Sequence, residues 1–166
     1  MNFALQAFGI YKESGQASSL KMRDYKDATD LILGGGTDDM AVVRRLTVLE
    51  CTRLQGFPDG WVEIGEWVDT KGKTRQESDS AKYKSLGNAI CIPWWRVLAR
   101  RITAQYERDV TMGSLFAGIG GFELAFKQVG AYPLWSAEIE EFPIAVLKKH
   151  FGDEEAGIEG DVNKYL

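Results

Sequence analysis

Cysteine and histidine are scarce in this chain, which has two cysteines and one histidine among 166 residues. Cys51 and Cys91 do not form a Cys-x-x-Cys pair, and only His150 accompanies them. Three residues without metal-ligand spacing argue against a metal cluster, and two cysteines are too few for a disulfide framework. We therefore predict a protein that binds no metal.

Long apolar runs are missing too, and no stretch approaches the roughly 18 consecutive apolar residues that cross a bilayer. The N-terminus also lacks the pattern of a signal peptide. We therefore expect a cytoplasmic protein without a membrane partner. With 45% apolar and 27% charged residues, the composition is typical of a globular domain that buries a core.

Negative charge is concentrated in the last third of the chain. Residues 1–111 contain 16 Lys+Arg and 15 Asp+Glu, a balance of +1, whereas residues 112–166 contain 4 and 9, a balance of −5. Only the first part has cations that can contact a polyanion as a group, at Lys71, Lys73, Arg75, Lys82 and Lys84. Charge runs of this size are usually solvated surface, so they support nucleic-acid binding only weakly.

Residues 113–126 have the pattern of a short strand, a glycine turn and the first turns of an amphipathic helix. A strand that enters a helix through such a turn often holds a nucleotide, because glycines let the backbone approach a ligand. Glu123 stands where the dinucleotide fingerprint has its third glycine, and a carboxylate there would repel a pyrophosphate. The pattern favours an adenosine ligand without phosphates, such as S-adenosylmethionine, while a plain tight turn stays open.

A second strand and helix follow at Tyr132–Ala137 and Phe142–Phe151, and a third short strand can form near the end of the chain. This alternation predicts a parallel sheet whose ligands bind at the carboxyl ends of the strands. Gly118, Glu138 and Asp161 all fall on that edge, where an acidic residue suits ribose hydroxyls. With three strands at most, we expect an incomplete α/β sheet whose open edge needs a cover.

Residues 1–43 and 62–80 carry the weakest patterns. Glycines and serines interrupt the first segment, and we expect short strands around Phe3–Tyr11 and Asp30–Leu33. The second segment is polar and predicts a mobile loop.

Between these segments, Thr47 and Glu50 form the capping-box pattern of a helix that carries Leu49 and Leu54 inward and stops at Gly56. A longer helix is expected over residues 88–106, with Pro93 near its first turn. One face of that helix is apolar, formed by Trp94, Val97, Leu98 and Ile102.

These motifs resemble those of the DNA cytosine-5 methyltransferases. Phe116-Ala-Gly-Ile-Gly-Gly-Phe122 is similar to the family's first motif, Glu138-Ile139 to the second, and Gly160-Asp161-Val162 to the third. The stretch from Arg45 to Asp59 resembles the ninth motif, and the stretch from Tyr83 to Pro93 resembles the tenth. The resemblance covers residues 44–61 and 83–166, and the ninth and first motifs together are highly specific.

The resemblance implies an incomplete Rossmann-like sheet that binds S-adenosylmethionine. Residues 81–166 would form part of the catalytic-domain core, with the unit 112–166 as strand, helix, strand and helix. Residues 1–80 would form the end of the target-recognition and small-domain region. The loop around the methionine part of the cofactor would comprise Phe116, Ala117, Gly118, Ile119, Gly120 and Gly121.

The other cofactor-binding roles are also carried over by position. Glu138 would bind the ribose hydroxyls, and Ile139 would pack on the adenine. Asp161, beside Val162 in the third motif, would accept from the exocyclic amine. Asn88 would reach the methionine carboxylate.

The chain departs from the family pattern in two ways. The ninth and tenth motifs precede the first, so the chain resembles a circularly permuted member. The Pro-Cys-Gln, Glu-Asn-Val and Gln-x-Arg-x-Arg motifs are absent. The family's chemistry needs a cysteine thiolate to attack carbon 6 of a flipped-out cytosine. Cys51 and Cys91 fit small core positions better, so we assign no catalytic residue.

Three functional hypotheses follow. The first is one part of a split bacterial or phage methyltransferase, inactive alone, that acts on double-stranded DNA with a complementary chain or as a homodimer. The second is a non-catalytic prophage-type remnant. The third is a regulatory DNA-binding protein that keeps the scaffold without its chemistry.

Overall fold

The computed structural model of the protein describes the backbone of residues 2–7, 10–14, 30–35, 41–152 and 157–159, with side chains from 45 to 152. Four antiparallel strands come first, in the spatial order β2-β1-β3-β4. Their bounds are β1 Asn2–Ala7, β2 Ile10–Ser14, β3 Asp30–Gly35 and β4 Ala41–Arg45. Both expected strand regions are confirmed, although the first is a hairpin of two strands.

Helix α1, Val48–Gln55, has the predicted capping box. Thr47 Oγ1 accepts from Glu50 N at 3.2 Å, and Glu50 Oε2 accepts from Thr47 N at 2.8 Å. Gly56 closes the helix with a φ of 83°. The expectation that Leu49 and Leu54 face inward is wrong, because they are 37% and 51% exposed.

The inward face of α1 consists instead of Cys51, Thr52 and Gln55. Gln55 can be buried because its amide donates to the carbonyl oxygens of Leu86 and Ala89, at 3.0 and 3.4 Å. A buried amide with such partners avoids the cost of an unpaired polar group. These bonds join the ninth-motif stretch to the tenth.

The expected mobile loop at 62–80 is wrong, since it contains a hairpin of β5, Glu66–Val68, and β6, Thr74–Gln76. Asp69 organises the turn that joins these two strands. Its carboxylate accepts from Lys71 N at 3.0 Å, Lys73 N at 2.8 Å and Arg75 Nε at 2.9 Å. Hydrogen bonds to the Lys73 amide and then to Arg75 lower the pKa of Asp69.

The helix expected over 88–106 is confirmed, although it begins at Ile92, and a separate helix that was not predicted precedes it. Helix α2 spans Asp79–Asn88 and α3 spans Ile92–Thr103. Pro93 has no N–H to donate to the turn before it, so one helix cannot continue through this point. The tenth-motif stretch therefore lies mainly on α2.

Helix α3 has the predicted apolar face, but that face is exposed among the described residues. Its members, Trp94, Val97, Leu98 and Ile102, are all at least 41% exposed. The helix packs against the rest of the structure through Ala99, which is buried, and through Trp95, whose ring lies 4.6 Å from that of Phe122.

A parallel sheet of order β7-β8-β9 completes the fold and confirms the predicted topology. Its elements are β7 Thr111–Leu115, α4 Gly121–Lys127, β8 Tyr132–Ala137, α5 Glu141–Phe151 and β9 Gly157–Glu159. The protein is thus an α/β protein with an incomplete Rossmann-like sheet. Within the described part of the chain, we find no helix with the length and apolar character needed to cross a bilayer.

The hydrophobic core contains residues from both sides of position 80. Phe57, Trp61 and Val62 pack with Leu86, and with Ile119 and Leu147 of the α/β unit. The division into domains 1–80 and 81–166 stays a prediction.

Candidate functional site

The turn between β7 and α4 has an unusual backbone. Phe116, Gly118 and Gly120 have φ angles of 55°, 59° and 83°, in the left-handed region. Ala117 and Ile119 are buried between them, whereas the Phe116 side chain is 74% exposed. A phenylalanine with positive φ carries strain, and strained residues are concentrated at functional sites.

The glycines of this turn serve two purposes. A Cβ on Gly120 would lie 2.6 Å from the Phe151 ring, and one on Gly121 would lie 2.6 Å from the Ile90 side chain. These two glycines are therefore needed for close packing of the start of α4. No atom lies within 4 Å of a Cβ built on Gly118, so space for a ligand exists there.

Glu138, directly after β8, fixes the geometry of the sheet edge. Its Oε2 accepts from Gly118 N at 2.7 Å, and its Oε1 accepts from Ile139 N and Glu140 N, each at 2.8 Å. One carboxylate thus joins the glycine turn to the first residues before α5. Because Oε2 accepts one bond, it keeps acceptor capacity for a hydroxyl group.

A cavity of about 580 Å³ opens beside this carboxylate. It brings together five of the residues predicted to bind a cofactor, namely Asn88, Phe116, Gly118, Ile119 and Glu138. Ala117, Gly120, Gly121 and Ile139 are not among its lining residues. Asp161 and Val162 lie outside the described residues.

The hairpin β5–β6, helix α2 and the start of α5 supply the rest of the wall, which the sequence patterns did not predict. Trp67, Arg75 and Gln76 come from the hairpin, and Lys84 comes from α2. Glu141 holds the hairpin in place by accepting from Thr70 N at 2.8 Å and Thr70 Oγ1 at 2.5 Å. These bonds, with the hydroxyl contributing most, lower the pKa of Glu141.

Trp61 supports the glycine turn from behind. Its Nε1 donates to the Ile119 carbonyl oxygen at 2.8 Å, and its ring stacks on His150 at 3.6 Å. His150 Nε2 donates to the Trp61 carbonyl oxygen at 2.7 Å. Burial lowers the pKa of His150, so the neutral ring is favoured in this stack.

Glu123 does not line the cavity, contrary to the expectation that its charge would repel a pyrophosphate there. Its side chain is fully buried, and Ser136 Oγ donates to Glu123 Oε1 at 2.7 Å. Glu123 Oε2 and the nearby Ser114 Oγ have no hydrogen-bond partner among the described residues. Burial raises the pKa of Glu123, although Ser136 opposes this effect, so the neutral acid is favoured.

This burial predicts a pH-dependent contribution to stability. The raised pKa means that Glu123 stabilises the fold fully below the ordinary glutamate pKa, and this contribution is lost as the pH rises through the raised value. Glu123→Gln has no proton to lose. From pH 5 to pH 8, the free energy of unfolding of this variant should therefore rise by about 1–3 kcal/mol relative to that of the wild type. Urea unfolding of both proteins at pH 5 and pH 8 measures this. A stability difference that does not change with pH would contradict the assignment.

Neither cysteine belongs to the cavity lining. Cys51 is 2% exposed in the core and Cys91 is only half-buried, so the predicted core position is confirmed for Cys51 but not for Cys91. In the part of the chain that the structure describes, no group of three or more His, Cys, Asp or Glu residues is arranged to hold a metal ion.

A protein-family model described as C-5 cytosine-specific DNA methylase matches residues 6–104 and 110–165. The match includes the strands β2, β3 and β4, both α2 and α3, and the whole parallel sheet. It therefore contains every side chain described above as lining the cavity.

Three proteins illustrate the similarity to known methyltransferases. A protein named DNA N-6-adenine-methyltransferase, from Escherichia phage P1, is 26% identical over 182 residues, with 61% of this chain and 24% of the phage protein covered. Type II methyltransferase M.NlaX of Neisseria lactamica is 28% identical over 99 residues, with coverages of 58% and 26%. Type II methyltransferase M1.ScrFI of Lactococcus lactis subsp. cremoris is 24% identical over 98 residues, with coverages of 59% and 21%. The chain spans about a quarter of the length of these curated relatives.

Proposed function

The chain belongs to the C-5 cytosine-specific DNA methylase family, and we propose that it forms the S-adenosylmethionine-binding and small-domain part of a DNA cytosine-5 methyltransferase. The observation that carries the proposal is the cavity at the carboxyl ends of β7 and β8. Its lining includes Asn88, Phe116, Gly118 and Glu138, to which the family resemblance assigns the cofactor. Open α/β sheets bind their ligands at this edge.

The residues present are suited to binding and orientation. Glu138 offers acceptor capacity for ribose hydroxyls, while its bonds to three backbone amides keep the carboxylate in place. The open space beside Gly118 and the exposed Phe116 ring provide room and a packing surface for the ligand. Asp161 and Val162 are proposed to complete the adenine end. Bound S-adenosylmethionine would supply a methyl group attached to a cationic sulfur.

Methyl transfer to cytosine also needs a thiolate nucleophile, and we propose that it comes from a complementary polypeptide. Neither cysteine of this chain lines the cavity. The complementary chain would carry the Pro-Cys-Gln and Glu-Asn-Val motifs, and double-stranded DNA would be the substrate of the assembled enzyme. A non-catalytic remnant or a regulatory DNA-binding protein is the alternative.

Methyl transfer to DNA is the test of this proposal. The purified chain should transfer no labelled methyl group from S-adenosylmethionine to DNA. Co-expression with a polypeptide that carries Pro-Cys-Gln and Glu-Asn-Val should produce activity, which a serine in place of the Pro-Cys-Gln cysteine should abolish.

The methylated base then decides between two chemistries. Digestion of the DNA to nucleosides should yield 5-methylcytosine. N6-methyladenine would instead agree with the name of the phage relative. Activity of this chain alone would contradict the proposed division of labour, and cofactor binding without activity in any combination would favour the non-catalytic alternative.

A further inference from the structure

Lys84 lies one helical turn before Asn88 on α2. Residues four apart share a face of a helix, and both side chains line the cavity. The family resemblance gives Asn88 the methionine carboxylate but assigns no role to Lys84. The position of Lys84 therefore places a positive charge next to the proposed carboxylate site.

Two cations, Lys84 and Arg75, line this cavity among the described residues. Arg75 Nε is bonded to Asp69, whose side chain is only 3% exposed and also accepts from two backbone amides of the hairpin turn. Arg75 is thus part of the structure that builds the turn. Its release towards a ligand would leave a buried carboxylate without its counter-charge.

Lys84 is held much less firmly. Its Nζ lies 2.8 Å from Glu140 Oε2, and the two side chains are 40% and 56% exposed. Ion pairs at such exposed positions contribute little to stability, because water and salt screen them. Lys84 can therefore exchange Glu140 for another carboxylate at small cost.

We propose that Lys84 binds the carboxylate of the amino-acid end of S-adenosylmethionine, together with Asn88, and leaves Glu140 when the ligand binds. This inference rests on the proposed function of the cavity. An ammonium group gives a charge-assisted hydrogen bond to a carboxylate, whereas the Asn88 amide is neutral. Lys84 would thus determine the selectivity for adenosyl ligands that keep their carboxylate.

Two ligands and two variants test the assignment by calorimetry. Decarboxylated S-adenosylmethionine keeps the adenosyl group, the sulfonium and the amine, and lacks only the carboxylate. Lys84→Gln should weaken the binding of S-adenosylmethionine about tenfold, in the range for a charge-assisted bond at a partly exposed site. The same variant should change the affinity for the decarboxylated ligand by less than about twofold.

The matched control is Glu140→Gln, which removes the competing partner and should not weaken S-adenosylmethionine binding. Equal weakening of both ligands by Lys84→Gln would reduce Lys84 to a structural role, and no weakening of either would also overturn the assignment. Wild-type protein that binds neither ligand would overturn the proposed function itself, and this inference with it. Circular dichroism of Lys84→Gln verifies that the variant is folded.

Discussion

Trp61→Ala should lower the free energy of unfolding by about 3–5 kcal/mol, the range for removing a buried aromatic side chain. Trp61 is 7% exposed and contacts three rings, at centroid distances of 3.6 Å to His150, 5.5 Å to Phe57 and 6.0 Å to Phe151. The substitution would also leave the Ile119 carbonyl oxygen without its indole donor. Urea unfolding monitored by circular dichroism measures the change.

Two further variants make this prediction specific. Trp61→Phe keeps an aromatic ring but loses the hydrogen bond, so its loss of stability should be intermediate, about 1–3 kcal/mol. Leu54→Ala alters a side chain that is 51% exposed and should change stability by no more than about 0.5 kcal/mol. A Trp61→Ala protein as stable as Leu54→Ala would show that Trp61 does not support the glycine turn.

Glu138→Ala should weaken S-adenosylmethionine binding by roughly 1–3 kcal/mol, which is about 5-fold to 150-fold in the dissociation constant. The alanine removes the acceptor proposed for the ribose hydroxyls. It also removes the bond to Gly118 N that holds the turn beside the ligand. Calorimetric titration measures the change.

Glu141→Gln is the control for Glu138→Ala, because its amide oxygen can still accept from Thr70 and keep the hairpin in place. Glu141 lines the same cavity, but its carboxylate is bonded to Thr70 of the hairpin. We expect this variant to change the affinity by less than about threefold. Equal losses in the two variants would mean that the carboxylates act only through the shape of the cavity.

The predictable parts of the fold are those that local chemistry determines. Thr47, Glu50 and Gly56 specify both ends of α1 through backbone groups a few residues away. The strand Tyr132–Ala137 has its expected bounds, because Gly130 precedes this short apolar segment and Glu138 follows it. The parallel order follows from the alternation of strands and helices.

The parts that were predicted wrongly depend on partners distant in the sequence. Gln55 is buried because carbonyl groups of α2 receive its amide, and no pattern within α1 indicates those acceptors. Glu123 is buried because Ser136 on the next strand donates to it. The hairpin at 66–76 depends on the Asp69 carboxylate and on Trp67, which packs against Phe142 of α5, a partner far away in the sequence.

The candidate site was predictable in part for the same reason. Gly118 and Glu138 follow neighbouring parallel strands, so the edge of the sheet brings them together. Lys84, Trp67 and Arg75 reach the cavity only because α2 and the hairpin fold over that edge. Of these three residues, only Lys84 could have been found from the local sequence, since it precedes Asn88 by one helical turn.

Hydrogen exchange of the wild-type protein, with and without S-adenosylmethionine, tests most directly whether the cavity holds the methyl donor. The ligand should slow amide exchange at residues 116–121 and 138–143, the glycine turn and the edge that Glu138 organises. Exchange in α3, at residues 92–103, should stay unchanged. Unchanged exchange at the turn and the edge in the presence of saturating ligand would contradict the account.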